Sequence, residues 1–112
     1  MQKQQSPTWV DAVAFDDVPE GEVKGVKVGG QFIALYRLDG QIYATSDVCT
    51  HEFALLSGGW VDHGEIECPL HGTRFRIKDG QCLGPFGHDL HCFQTRVQDG
   101  RIEVALLPAE RE

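Results

Sequence analysis

The chain has 112 residues, 41% of them hydrophobic, and carries 10 Lys and Arg against 17 Asp and Glu, a formal charge of −7. That length and apolar content fit one domain with a real core and exclude a mostly disordered chain. The acidic balance lacks the clustered Lys and Arg that phosphate binding needs, so no nucleic-acid partner is expected; partners with basic surfaces are.

In chain order, residues 1–7 are polar and are expected to fray. They hold no apolar run and no twin arginine, and no later stretch approaches bilayer-spanning length, so no membrane anchor and a cytoplasmic location are expected. Asp11, Asp16, Asp17, Glu20 and Glu22 form an acidic group, which usually means a solvated face. Residues 23–28, 31–38 and 41–45 are rich in Val, Ile, Phe, Leu and Tyr and predict strands. Phe93, Thr95 and Val97, then Ile102, Val104 and Leu106, alternate with period two and predict two more. Gly29-Gly30, Asp39-Gly40, Asp79-Gly80 and Asp99-Gly100 sit between such runs, where tight hairpins need positive φ. No segment has helical periodicity of useful length, and residues 108–112 read as a loose tail. The fold class predicted is all-β.

Residues 46–87 differ. They are rich in Gly, Cys, His and Pro, with short strands expected near 59–61, 65–68, 73–78 and 81–83. This region predicts a small subdomain inserted between strands of a larger antiparallel β-sandwich, within a single domain of residues 1–112. Its loops hold Cys49-Thr50-His51 and Cys68-Pro69-Leu70-His71, with sixteen residues between His51 and Cys68. Four Cys in a short secreted chain could mean two disulfides, whereas in the cytosol they more often mean metal. Two thiolates and two imidazoles in this order are the ligand set of a [2Fe–2S] centre in which a His pair replaces two thiolates on one iron. Cys49 and Cys68 would then take one iron, and His51 and His71 the other, nearer the surface. Formally an all-Cys oxidised centre totals about −2 and the mixed one about 0, so the mixed centre is easier to reduce. Gly72 lets the chain pass close to such a cluster, Pro69 stiffens the second loop, and Gly84-Pro85-Phe86-Gly87 reads as a third loop that could cover it.

At these residues the chain resembles the Rieske ferredoxins, the small electron carriers of bacterial aromatic ring-hydroxylating dioxygenase systems. The resemblance covers nearly the whole chain and is most specific at the two ligand blocks, at Gly72, and at Phe75, Gly80 and Pro85. It implies a β-sandwich carrying a cluster-binding β subdomain and one [2Fe–2S] cluster. It also implies a one-electron carrier, expected as a monomer, between an NAD(P)H-dependent flavin reductase and a terminal ring-hydroxylating oxygenase. Such a carrier is not itself an enzyme and has no catalytic residue. Rieske proteins of respiratory and photosynthetic cytochrome complexes resemble the chain at the ligands but add a disulfide between the loops. The corresponding positions here are Ala54 and Leu70. Those proteins also use a Ser and a Tyr to donate hydrogen bonds to the cluster, where this chain has Thr73 and Phe75. With fewer donors, the potential is expected near the low end of the Rieske range, around −150 mV.

Two other functions compete. A small subunit of a nitrite-reductase-type complex shares the resemblance, although many such subunits lack the complete ligand set. A zinc-stabilised binding module is the other, but zinc fingers usually pair C-x₂₋₄-C with H-x₃₋₅-H. An oxygenase large subunit would add a mononuclear iron held by two His and a carboxylate, and no His follows His91. Cys82 and Cys92 are read as a small buried residue and a strand residue, and His63, His88 and His91 as surface or turn residues. Trp9, Trp60, Phe32 and Phe53 are expected to pack in or against the core. Phe53, Leu55 and Leu56 are expected as an apolar shoulder beside the first ligand loop.

Overall fold

Turn chemistry sets the strand boundaries. In the computed structural model, which describes residues 6–107, Asp39 and Gly40 both hold positive φ (52° and 77°), the geometry that lets two strands fold back without splaying. Gly29-Gly30 and Asp99-Gly100 do the same. At Asp79-Gly80 only Gly80 has positive φ; the loop there closes instead through Gly80 N–H donating to Arg76 O at 2.7 Å. A further turn of the two-residue kind is His63-Gly64 (51° and 79°), which lacks the Asn-Gly, Asp-Gly or Gly-Gly signature that marks such hairpins in a sequence. The expected fraying of the N-terminus bears mainly on residues 1–5, and the expected tail is residues 108–112; both lie outside the described residues.

Eleven strands are described: β1 (Thr8–Ala14), β2 (Val23–Val28), β3 (Gln31–Leu38), β4 (Gln41–Ser46), β5 (Trp60–Asp62), β6 (Glu65–Glu67), β7 (Arg74–Arg76), β8 (Cys82–Gly84), β9 (Cys92–Phe93), β10 (Thr95–Gln98) and β11 (Arg101–Leu106). They form three antiparallel sheets in the orders β1-β11-β10, β2-β3-β4-β9 and β5-β6-β7-β8. The helical content is two single turns of 3₁₀ helix, Phe15–Asp17 and Leu56–Gly58. No helix of the described residues is long and apolar enough to cross a membrane.

β1 is the strand that local pattern did not predict. It pairs with β11 from Thr8↔Leu106 to Ala14↔Arg101, and a register shift between Asp11 and Val13 breaks its alternation. Its partner lies some ninety residues on, so no hairpin signal marks it. The Arg101 guanidinium clasps the Asp11 carboxylate at 2.6 and 2.8 Å across this pair. Glu20 accepts the backbone N–H groups of Asp39 (2.6 Å) and Gly40 (2.9 Å). Two members of the N-terminal acidic group therefore tie strands and turns together.

Two cores share one strand. Val18, Val28, Ile33, Leu35, Ala44, Phe93, Ile102, Val104 and Leu106 fill the space between the first two sheets. Ala34, Tyr36, Leu56, Ile66, Phe75, Ile77 and Leu90 form a second core with Cys49 and Cys68. Successive side chains of a strand point to opposite faces, so β3 gives Ile33 and Leu35 to the first core and Ala34 and Tyr36 to the second. That is why four successive residues of β3 are buried. Fully burying Ile33 or Leu35 stabilises the fold by about 2 kcal/mol each. The Tyr36 hydroxyl is paired with Thr45 Oγ1 at 2.8 Å, and burial pushes its phenol well above the ordinary range.

Three aromatics expected in or against the core are exposed instead: Phe53 at 77%, Trp60 at 58% and Phe32 at 43%. Trp60 lies on β5, an edge strand of a sheet covered on one side, and its neighbour Val61 faces the core. Phe32 lies near the open end of β3 with Lys27 Nζ 5.4 Å from its ring. Trp9 is half-buried beneath the Arg96 guanidinium, 4.3 Å from the ring centre.

Candidate metal centre

The first ligand loop leaves β4 and is closed by its own backbone. Leu56 N–H donates to Asp47 O (2.7 Å), Cys49 N–H donates to Ala54 O (2.9 Å), and Val48 and Leu55 bridge. Thr50, His51, Glu52 and Phe53 are left at the tip. At the base, the buried Asp47 carboxylate accepts both the backbone N–H and the hydroxyl of Ser57, each at 2.7 Å. Burial raises the Asp47 carboxyl above its ordinary value, and the bonds from Ser57 and Leu56 offset part of that rise.

The second ligand loop joins β6 to β7. Cys68 N–H donates to Thr73 O (2.8 Å) and Gly72 N–H to Cys68 O (3.1 Å), a turn that needs the positive φ of Gly72 (77°). Arg74 pins its base by binding Glu65 at 2.6 Å and Glu67 at 2.7 Å. Burial raises the Cys68 thiol, the Leu70 N–H opposes that rise, Cys49 adds to it, and the His71 N–H again opposes it. The two thiols therefore feel each other, and the turn aims backbone N–H groups at sulfur.

The predicted ligand residues come together in two pairs, Cys49 with Cys68 and His51 with His71. Cys49 and Cys68 are buried, at 4% and 2% exposure, while His51 is half-buried and His71 exposed. The imidazole centres are 5.2 Å apart and tilted by 59°. His71 Nε2 lies 3.1 Å from Glu52 Oε1, which leaves Nδ1 as the ring nitrogen open to a metal.

The third loop lies over the first. Gly84 and Pro85 are joined by a cis peptide, and the Phe86 ring stacks on His51 at 5.1 Å. Thr50 Oγ1 accepts the His88 N–H at 2.8 Å and donates to His88 O. A Cβ at Gly87 would stand 2.7 Å from Thr50 Oγ1, so only glycine allows this approach. Glu52, Thr50 and the Asp47–Ser57 pair went unrecognised in the sequence; Glu52 follows His51 directly, but no spacing rule links it to His71.

The donor set fits a binuclear cluster. A [2Fe–2S] centre asks for only two protein donors per iron, a sulfur pair and a nitrogen pair. The Thr73 hydroxyl is fully buried two residues past His71 and has no hydrogen-bond partner among the described residues, which suits a donor meant for a bound group. Cys82 and Cys92 are free thiols away from this set. Cys82, expected to be buried, is half-buried, with its Sγ 3.3 Å from Phe86 O; Cys92 lies on β9, a strand as expected, and partial burial of its thiol raises that group. His63, His88 and His91 are exposed, as expected. Of the expected shoulder, Phe53 and Leu55 are exposed and Leu56 is fully buried.

The family model described as the Rieske [2Fe–2S] domain matches residues 8–94. The ferredoxin component of the naphthalene 1,2-dioxygenase/salicylate 5-hydroxylase systems of Ralstonia sp. is 45% identical over 99 residues, covering 88% of this chain and 95% of that protein. A chain of the solved complex of reduced oxygenase and oxidized ferredoxin in carbazole 1,9a-dioxygenase superposes with a TM-score of 0.80 at 37% identity, covering 93% of this chain and 95% of that one. The putative NADH-dependent nitrite reductase small subunit from Mycobacterium tuberculosis superposes with a TM-score of 0.77 at 32% identity, covering 88% and 95%.

Proposed function

Because this chain belongs to the Rieske [2Fe–2S] domain family, we propose that it is a one-electron carrier that takes electrons from an NAD(P)H-dependent flavin reductase and delivers them to a terminal oxygenase that hydroxylates aromatic rings. In this reading it works as a cytoplasmic monomer, and residues of about 46–87 act as the cluster-binding subdomain of a single domain. Cys49 and Cys68 hold one iron and His51 and His71 the other. Once bound, such a cluster accepts and releases one electron at a potential raised by its neutral imidazoles. The observation that carries the proposal is the pairing of two buried thiols with two adjacent imidazoles at the surface.

The chain's own residues do three things in this reading. The N–H groups of Leu70 and His71 stabilise thiolate at Cys68. Exposed apolar side chains offer a docking face: Phe86 (60% exposed) stacks on His51, and Phe53 (77%) and Leu70 (49%) lie within two residues of His51 and His71 in the chain. The exposed His edges are the points where a partner's redox centre can approach. The protein's negative charge favours partners with a basic rim.

The test is anaerobic reconstitution with iron and sulfide, followed by electron paramagnetic resonance of the reduced protein. A rhombic signal with average g below that of all-Cys ferredoxins is expected, with a midpoint potential of about −150 mV. A colourless protein holding neither iron nor sulfide would end the proposal. The second reading, a nitrite-reductase-type small subunit, rests on the likeness to the mycobacterial chain. Coupled assays with purified reductases, oxygenases and nitrite reductase large subunits separate the two.

A further inference from the structure

The first ligand loop is fastened to the sandwich by a clasp that sits on a glycine. Asp47 accepts both the N–H and the hydroxyl of Ser57, so its carboxylate ties the two ends of the segment that carries Cys49 and His51. Asp47 is itself held to β3 by its N–H donating to Phe32 O at 2.9 Å. The clasp rests on β2 at Gly25. A Cβ there would stand 2.5 Å from Ser57 Oγ, 2.8 Å from Asp47 Oδ2 and 2.9 Å from Ser57 Cβ. Gly25 is paired with Ala34 in a regular strand and has no positive φ, so backbone conformation does not require glycine there. Space does. A glycine in mid-strand ordinarily weakens the strand, and its presence here needs a reason.

We propose that Gly25, Asp47 and Ser57 are positioning residues for the cluster: the clasp seated on β2 sets how tightly the first ligand loop grips its iron ligands. The inference rests on the assignment of Cys49 and His51 as ligands. It makes β2, a strand that supplies no ligand, part of the apparatus that retains the cluster. Groups that orient metal ligands from outside commonly change affinity by about 10- to 100-fold when lost.

The experiment uses reconstituted wild-type protein, Gly25→Ala, Ser57→Ala and the control Lys27→Ala, an exposed position two residues further along β2. Iron loss to a chelator is followed by the decay of visible absorbance, and the reduced forms are compared by electron paramagnetic resonance. Gly25→Ala and Ser57→Ala should both release iron about tenfold faster and broaden the g values, while Lys27→Ala releases at the wild-type rate. Circular dichroism of the apoproteins gives the structural control: Gly25→Ala should keep the wild-type spectrum while melting somewhat earlier, since the added Cβ must push Ser57 and Asp47 aside. Wild-type release rates and line shapes in both clasp variants would overturn the proposal. Should Gly25→Ala fail to fold, Ser57→Ala alone decides, because it removes a hydroxyl from a half-buried position. Failure of the underlying ligand assignment looks different: the wild-type protein itself would then bind no cluster.

Discussion

The ring of Phe86 lies 5.1 Å from the imidazole of His51, stacked at 30°, and places an exposed aromatic face over the half-buried member of the His pair. Thr50 fixes this arrangement by holding His88, two residues further on, from the first ligand loop. A partner that reaches His51 must therefore meet Phe86. Phe86→Ala should leave folding stability within about 0.5 kcal/mol, because the side chain is largely exposed. It should slow electron delivery to the partner oxygenase about threefold to tenfold, the loss of one aromatic anchor at an interface. Stopped-flow oxidation of the reduced protein by the oxygenase measures both the rate and its dependence on concentration.

Exchanging an imidazole for a thiolate adds negative charge at the cluster. His51→Cys and His71→Cys should each lower the midpoint potential by roughly 100 mV or lose the cluster altogether. Redox titration, with electron paramagnetic resonance confirming that a cluster is present, reads the outcome. An intact cluster at the wild-type potential would remove that residue from the ligand set.

The orphaned Thr73 hydroxyl makes a separate prediction. A donor near a cluster stabilises its reduced, more negative form, so Thr73→Val should lower the potential while keeping shape and volume. A differential bond strength of about 1 kcal/mol corresponds to a shift on the order of 40 mV for one electron. Thr73→Ser should stay close to wild type. Equal potentials in all three proteins would show that the hydroxyl does not address the cluster.

Most of the sandwich was legible in the sequence because its strands are joined by turns with a local signature. Asp39-Gly40 announces its hairpin in two letters. β1 was not legible, since its partner β11 is remote and the bulge after Asp11 spoils its alternation. The candidate ligand residues stood out because metal chemistry restricts both residue type and spacing. Their surroundings did not. That Glu52 faces His71, or that Ser57 faces Asp47 across the loop, follows from how the loops close in space. The exposure of Trp60 was misread for a related reason: hydrophobicity reports what a side chain prefers, and the outer face of β5 has nothing packed over it.

Gly59 gives a stability test at the entry to β5. A Cβ there would stand 1.9 Å from Glu67 O, one residue before Cys68, and its φ of −97° is open to any residue. The cost of Gly59→Ala is therefore collision and not backbone strain. The variant should lose about 3 kcal/mol or more, seen in denaturant unfolding of the apoprotein, and should reconstitute poorly.

The Asp11–Arg101 pair predicts a pH-dependent contribution. The hydrogen bond from Arg101 holds the Asp11 carboxyl below its ordinary value of 3.8. A carboxyl depressed in the folded state stabilises above its unfolded value and loses that contribution as pH falls through the folded one. Asp11→Asn should thus lower Tm slightly at pH 7. The difference from wild type should shrink as pH falls below 3.8 and in 1 M salt, since both partners are exposed. Paired thermal melts of the apoproteins across pH and salt check the sign.

The alternation along β3, with Ile33 and Leu35 on one side and Ala34 and Tyr36 on the other, bears on any attempt to transplant the centre into a foreign scaffold. The excised piece would leave half its floor behind, because that floor is the reverse side of a strand belonging to the donor sandwich. A graft that carries the three loops alone inherits the ligands without the surface they rest on. The smallest portable unit includes the hairpin from residue 31 to residue 46, and a recipient must already offer apolar cover for that hairpin's far face.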